Sequence, residues 1–358
     1  MRALLKRFIS AEKVAKFREM LEKIDRYTLP FFVKNRFLSS VYYCFFNRRF
    51  SREHQSVLLG RIKYYKNSNA PENSSVLLRR NVHRLEKGLI MRPQREVFAA
   101  GYIGETVAQF VKCYNAKALN CEEEKWAKEV LQRYFAVVGS SEVIDKAKDL
   151  FMNTLNEQAI ADAQLASVPY SQKDIVNSEI GFQQFKQLCV QRRSVRWFQD
   201  KPVPRELIEN ALSVATLAPS ACNRQPFEFY LFNSAEKAQK IGAIPAGTAG
   251  FSHNFQSVLV LVGDLASYPY ERDRHVIYID GSLAAMQFML SLETQGLSSC
   301  VINWPDIEIA EKRMSKALNL SDNQRPLMLI SVGYADPEGK IPFSQKKSPR
   351  DLIKEVIL

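Results

Sequence analysis

At residue 182 the spacing of apolar residues changes character, and that change limits the folds open to this 358-residue chain. Before it, apolar residues recur every three or four positions, the pattern of helices with one buried face. After it, four short runs rich in β-branched and aromatic residues, 227–232, 257–263, 299–303 and 327–333, alternate with helical patterns at 182–192, 204–217, 274–295 and 307–318. Such alternation predicts a layered α+β or α/β body. The chain is long for one core, so 1–66, 67–180 and 181–358 are expected as separate regions, with the last boundary between about 167 and 181.

The formal charge of +12 is unevenly placed. Residues 1–66 hold 16 Lys and Arg against 5 Asp and Glu, 67–180 hold 14 against 15, and 181–358 hold 20 against 18. The basic segment begins with Leu5, Phe8, Ala11, Val14, Phe17, Leu21 and Ile24 at helical spacing, with Lys6, Arg7, Lys13, Lys16 and Lys23 around them. Aromatic residues flanked by cations follow at 30–37 and 41–49. Two uses fit this segment: packing its apolar side on the rest of the protein, or peripheral contact with an anionic membrane, where each cation near the surface contributes about 1 kcal/mol. No nucleic-acid-binding motif accompanies the charge, so nucleic acid is not an expected partner. No apolar run approaches the roughly 20 residues of a membrane span, and the first residues lack a secretory pattern, so the expected location is the cytoplasm. Six cysteines without a C-x-x-C pair read as reduced thiols, and four scattered histidines predict no metal site.

Between these regions, helices are expected at 94–117, 122–138 and 141–165. Asn120 and three acids open the second, and residues 139–141 separate it from the third. The polar stretch 81–89 puts His83 and Glu86 three apart on one helix face, a pair open to either a structural or a catalytic reading.

Two polar clusters follow. In Arg192-Arg193-Ser194-Val195-Arg196, three guanidiniums and a hydroxyl lie within five residues, a set able to hold a dianionic phosphate or simply to form a solvated basic turn. The loop Ala218-Pro219-Ser220-Ala221-Cys222-Asn223-Arg224-Gln225-Pro226 offers amide donors and acceptors that suit the edge of a planar heterocycle.

In order and spacing, these clusters, Val203 to Ile208, the apolar run from Ser257, the long helix leading to Gly296 and Cys300, and Ser331 to Pro337 resemble the FMN-dependent nitroreductase family. The likeness covers about 182–358. It implies an α+β fold, a mixed sheet flanked by helices behind a mainly helical N-terminal region, and a homodimer with FMN at the subunit interface. It also implies an oxidoreductase in which NAD(P)H reduces FMN and a small electron-poor acceptor of nitro, quinone or enone type takes the electrons. Arg192, Arg193, Ser194 and Arg196 match the family's phosphate-gripping motif, and Lys346 and Lys347 its C-terminal basic pair. Pro219, Ser220, Ala221, Asn223 and Gln225 match the loop that reaches the flavin from the second subunit. Ile302, Asn303 and Trp304 fall where backbone N–H meets flavin N5. No catalytic side chain or metal is implied, since hydride transfer is the flavin's chemistry. Phe227 replaces a more usual Trp and Ser298 a common Gly. Trp304 is bulkier than the residue often found at its position and is expected to narrow or cover the substrate face. The 81–89 stretch is similar to extended nitroreductase-like proteins of surface-polysaccharide synthesis, which implies the alternative of a non-catalytic dimeric scaffold.

Overall fold

The computed structural model describes residues 11–70, 74–155 and 165–357. Leu5 and Phe8, expected in the first helix, and 156–164, expected at the end of the third middle helix, lie outside the described residues. The chain divides into two compact units, Met1–Ser56 and Val57–Leu358.

In the first unit, helix α1 (Ala11–Phe32) runs through Pro30 into the first aromatic residues. Asn35 caps α2 (Arg36–Val41), its side-chain oxygen accepting from Leu38 N at 2.9 Å. A π-helical turn, Tyr42–Phe46, follows. It turns Tyr42 inward, where the ring meets Phe32 at 5.3 Å and the hydroxyl donates to the Asp25 carboxylate. Phe17, Met20, Ile24, Tyr27 and Phe31 remain exposed.

The second unit begins within α3 (Ser51–Asn69), whose later half lies against residues 265–271: Arg61 Nε donates to Pro269 O at 3.0 Å. A helical layer follows, α4 (Val76–Leu89), α5 (Ile103–Asn115), α6 (Cys121–Val137) and α7 (Glu142–Thr154), around a core of its own that includes Leu78, Val82, Leu85, Phe110, Tyr134 and Phe151. Asn120 and Ser141 cap α6 and α7 as expected, accepting from Glu123 N and Ile144 N. The helix expected from 94 begins only at Ile103, because Pro93 breaks the helical hydrogen-bond pattern and Ala99 adopts a left-handed backbone (φ 63°).

The remaining elements are α8 (Phe182–Gln191), α9 (Arg205–Ala215), β1 (Phe227–Phe232), α10 (Ala235–Gly242), β2 (Ser257–Asp264), α11 (Val276–Thr294), β3 (Ser298–Asn303), α12 (Glu308–Leu318), β4 (Gln324–Gly333) and the short α13 (Pro349–Leu352). The sheet has the order β1-β2-β4-β3, with every strand pair antiparallel. The parallel pairing that would make it mixed is confined to a bridge between Ser194 and Ser299. Side chains alternate across β2 and bury both faces. Leu259 and Leu261 join the core under α9 and α11, while Val258, Val260 and Val262 join the opposite core with Phe255, Trp304 and Met314. Gly263 and Gly281 allow α11 to lie close to the sheet: a Cβ on Gly281 would meet Leu327 Cδ1 at 2.6 Å.

Charged groups are buried at defined points. Glu311, 1% exposed, accepts from Trp304 Nε1 at 2.8 Å and from the 5% exposed Arg325 at 3.1 Å. Removing Glu311 would leave the buried Trp304 N–H without its acceptor and Arg325 with the partly exposed Asp306 at 3.3 Å. Glu311→Ala is therefore expected to cost about 2–4 kcal/mol, measured by urea unfolding. Burial raises the carboxyls of Asp264, Asp280 and Glu293 above the usual range, so each binds its proton more tightly when folded than when unfolded. Their contribution to stability falls as pH rises from the unfolded carboxylate value of about 4 through the raised values, and is level above them. Asp280→Asn should remove part of that fall. Relative to the parent protein, the variant is expected to gain stability between acid and neutral pH in parallel urea titrations, and a constant difference would contradict the assignment.

Candidate functional site

The first expected polar cluster is held by backbone bonds to the sheet. Arg192 closes α8, its N–H donating to Leu188 O. Val195 N then donates to Ser299 O at 3.0 Å, Gln199 N to Tyr334 O at 2.9 Å and Asp336 N to Trp197 O at 3.0 Å, so 194–199 are laced to the ends of β3 and β4. Asn254, which sequence reasoning missed, fixes this segment from below. Its Oδ1 accepts from Phe198 N and its Nδ2 donates to Arg196 O, both at 2.9 Å.

The result is a cleft of about 80 Å³ lined by Arg192, Arg193, Ser194, Arg196 and Lys346, with Ile341, Pro342 and Ser344 closing it. Lys346, 150 residues downstream, lies in the lining with the arginines, while Lys347 is not part of it. Arg192 Nε is buried without a hydrogen-bond partner. A buried guanidinium N–H left unpaired carries a desolvation cost that an anionic oxygen would offset, so these residues suit a phosphate group. The cleft accommodates such a group but not a tricyclic ring. Nearby, Glu293 accepts from Gln191 Nε2 at 3.3 Å, and burial pushes the Cys300 thiol up, which keeps it protonated at neutral pH.

The second cluster is tightly wound. Cys222, Asn223 and Gln225 all have positive φ (55°, 51° and 48°), a conformation that non-glycine residues hold only when their surroundings enforce it. Inside the loop, Ser220 Oγ accepts from Gln225 N at 3.0 Å, and Gln225 Nε2 donates to Thr216 O at 3.3 Å. From α11, the buried Asp280 carboxylate accepts from Ala221 N at 2.9 Å. From α4, Arg79 Nε donates to Asn223 O at 3.0 Å. Pro219 is exposed and Ala221 half-buried at the loop's outer side.

Arg79 ties the helical layer to this loop. It pairs with Glu123 at 3.2 Å and lies over the Trp126 ring at 5.4 Å, Trp126 Nε1 donates to Glu86 at 3.0 Å, and Glu86 lies 3.3 Å from His83 Nδ1. The His83–Glu86 pair therefore forms the far end of a structural chain that begins at the loop. The stretch 81–89 had drawn attention in the sequence; Arg79, two residues earlier, makes the contact that reaches the loop.

The two clusters do not meet within one chain. Ser299, beside Ser194, pairs through Val332 with the Ser257 end of β2, whereas Phe227, just after the loop, pairs with Gly263 at the other end. Six residues along a strand and three strand spacings across place them about 25 Å apart. Asn303 lies exposed at the far end of β3, about 14 Å along the strand from Ser299. Trp304 departs from expectation. Its indole is buried in the core with Val195, Phe198 and Met314 and bonded to Glu311, so in this chain it neither narrows nor covers an open face. The core took the ring because Glu311 supplies the acceptor that a buried indole N–H requires.

Residues 189–249 and 245–334 match the nitroreductase family. A protein of Archaeoglobus fulgidus named "Putative NADH dehydrogenase/NAD(P)H nitroreductase" is 30% identical over 150 residues, 41% of this chain and 83% of that protein. The iodotyrosine deiodinase of Danio rerio is 27% identical over 231 residues, 57% of this chain and 76% of that protein. A solved FMN-dependent nitroreductase of Clostridium difficile is 27% identical, covering 43% of this chain and 88% of its own, with a TM-score of 0.37. With the arginine motif, the amide-bearing loop and the strand framework in family order, and with this extent of shared sequence, the chain belongs to the nitroreductase family.

Proposed function

We propose that the protein is a homodimeric FMN-dependent oxidoreductase that takes electrons from NAD(P)H and passes two to an electron-poor acceptor of nitro, quinone or enone type. The observation that carries this reading is the cleft of Arg192, Arg193, Ser194, Arg196 and Lys346 with its unpartnered Arg192 Nε. Bound there by its phosphate, FMN would supply the ring that accepts and returns hydride. The guanidiniums neutralise the dianion and stay charged at any working pH, and the Ser194 hydroxyl adds a donor. Asn303 and the backbone of Trp304, farther along β3, would offer hydrogen-bonding groups to the ring. Asn223 and Gln225, on a loop held rigid by Asp280 and Arg79, present amides suited to the ring edge.

The 25 Å separation of loop and cleft makes a second copy the natural source of the loop. Surface chemistry supports that source. The only charged residues of α11, Asp280 and Glu293, are buried, while Ile279, Leu283 and Met286 form an exposed ridge at helical spacing on its outer side. A helix apolar on every side calls for a partner on each. The physiological acceptor is left at the level of chemical class, with nitroreductases and deiodinases among the relatives by name.

The purified protein should bind FMN and turn yellow, and NAD(P)H should bleach the absorbance without oxygen. A colourless protein that ignores added FMN would overturn the proposal. Arg196→Ala is expected to weaken FMN binding by about 10- to 100-fold, as for loss of a charge-assisted hydrogen bond. Co-refolding an Arg193→Ala/Arg196→Ala chain with an Asn223→Ala/Gln225→Ala chain should restore about a quarter of the sites, since each mixed dimer of a two-fold assembly holds one intact site. No restoration would mean that one chain supplies both halves. Arg79→Ala should lower stability by about 1.5–3 kcal/mol in urea unfolding and speed amide exchange across Ala221–Gln225.

A further inference from the structure

The first unit carries a surface that the redox reading does not use. Phe17, Met20, Ile24, Tyr27 and Phe31 follow a 3-4-3-4 spacing that aligns them along one side of α1, and all five are exposed, Tyr27 by 87%. Phe37, Phe45 and Phe46 are exposed in the following turns. Phe31 and Phe46 also lean on Phe32, with ring centroids 5.3 and 5.2 Å apart, yet each leaves more than half of its surface in solvent, while Tyr42 with Phe32 and Asp25 closes the turn. Lys16 and Lys23 lie along one border of the α1 stripe, about 60–80° around the helix, and Lys34 and Arg36 follow it in the chain.

We infer that this face docks on an anionic lipid membrane. Charge selects the occupant. Residues 1–56 contain thirteen Lys and Arg against five Asp and Glu, so two copies meeting face to face would repel, whereas an anionic leaflet attracts. Apolar chemistry excludes the other common polyanion, since an aliphatic and aromatic stripe finds burial in an acyl boundary and none along a phosphate backbone. Lysines at the border can lay their stems on the apolar surface and keep their ammonium groups at headgroup level. Among the described residues no helix is long and apolar enough to cross a membrane, so α1, about 33 Å long, would lie in the interface plane. A depression of about 580 Å³ within the same unit is lined by Tyr43, Cys44, Phe50, Arg48 and His54, apolar walls with a guanidinium that would suit the boundary between acyl chains and an anionic headgroup. The inference does not depend on the flavin proposal.

The test is flotation of the full-length protein with vesicles of phosphatidylcholine alone or mixed with phosphatidylglycerol. Binding is expected to the anionic vesicles, weakened by salt, and weak or absent with phosphatidylcholine. Phe17→Ser/Ile24→Ser/Phe31→Ser should reduce it at least about tenfold. Lys16→Glu/Lys23→Glu should reduce it further than neutralisation, since each cation is worth about fivefold in partitioning. Unchanged far-ultraviolet circular dichroism and unchanged oligomer size by sedimentation establish that these exposed substitutions leave the fold intact. Full-length protein that stays in the aqueous phase with anionic vesicles would overturn the inference. So would a stripe variant that floats like the parent, lipid-free protection of 11–32 from covalent labelling, or tighter binding to duplex DNA than to the vesicles.

Discussion

Antiparallel pairing between β2 and β4 runs from Ser257 with Val332 to Asp264 with Gln324, and the separation of the two polar clusters follows from it. These two strands are central, so β1 and β3 must be edges, and the segments before those edges emerge at opposite corners. One corner receives Ser194 beside Ser299 and hence the arginines; the other receives the loop that ends at Phe227. Side chains cannot bridge about 25 Å, so no local adjustment within a chain could unite them. The architecture separates a guanidinium-bearing half from an amide-bearing half, and α11 lies between them and solvent with an uncharged outer face.

Placing a loop accurately requires rigidity, and here three non-glycine residues sit in the left-handed region. Such conformations cost of order 1–3 kcal/mol each and persist where neighbours over-determine them. Asp280 from one side and Arg79 from the other supply that constraint. The helical layer is therefore joined to the chemistry of the sheet domain through Arg79, Trp126, Glu86 and His83, an economical account of why the polar stretch on α4 exists. Burial of Asp280 with its carboxyl raised is the cost of that arrangement, partly offset by the Ala221 N–H and the nearby Arg224.

The first unit follows different physics. Its aromatic side chains are largely outside and its charge largely of one sign, whereas the second unit puts apolar side chains on both faces of a sheet and balances its charges. A surface of the first kind leaves apolar area in water, whereas one of the second kind removes it on folding.

Local pattern was enough to locate the strands to within a few residues and to bring Arg192, Arg193, Ser194, Arg196 and the 219–225 loop to attention, because alternation, helical spacing and clustered guanidiniums are properties of neighbouring residues. Lys346 beside those arginines came from family resemblance rather than spacing. The antiparallel order of the sheet, the inward turn of Trp304 toward Glu311, the support of Asn254 beneath 196–198 and the reach of Arg79 to Asn223 were decided only by tertiary structure. Each joins residues many positions apart through burial or a long-range hydrogen bond, and no periodicity along the chain records which distant acceptor a buried donor will find.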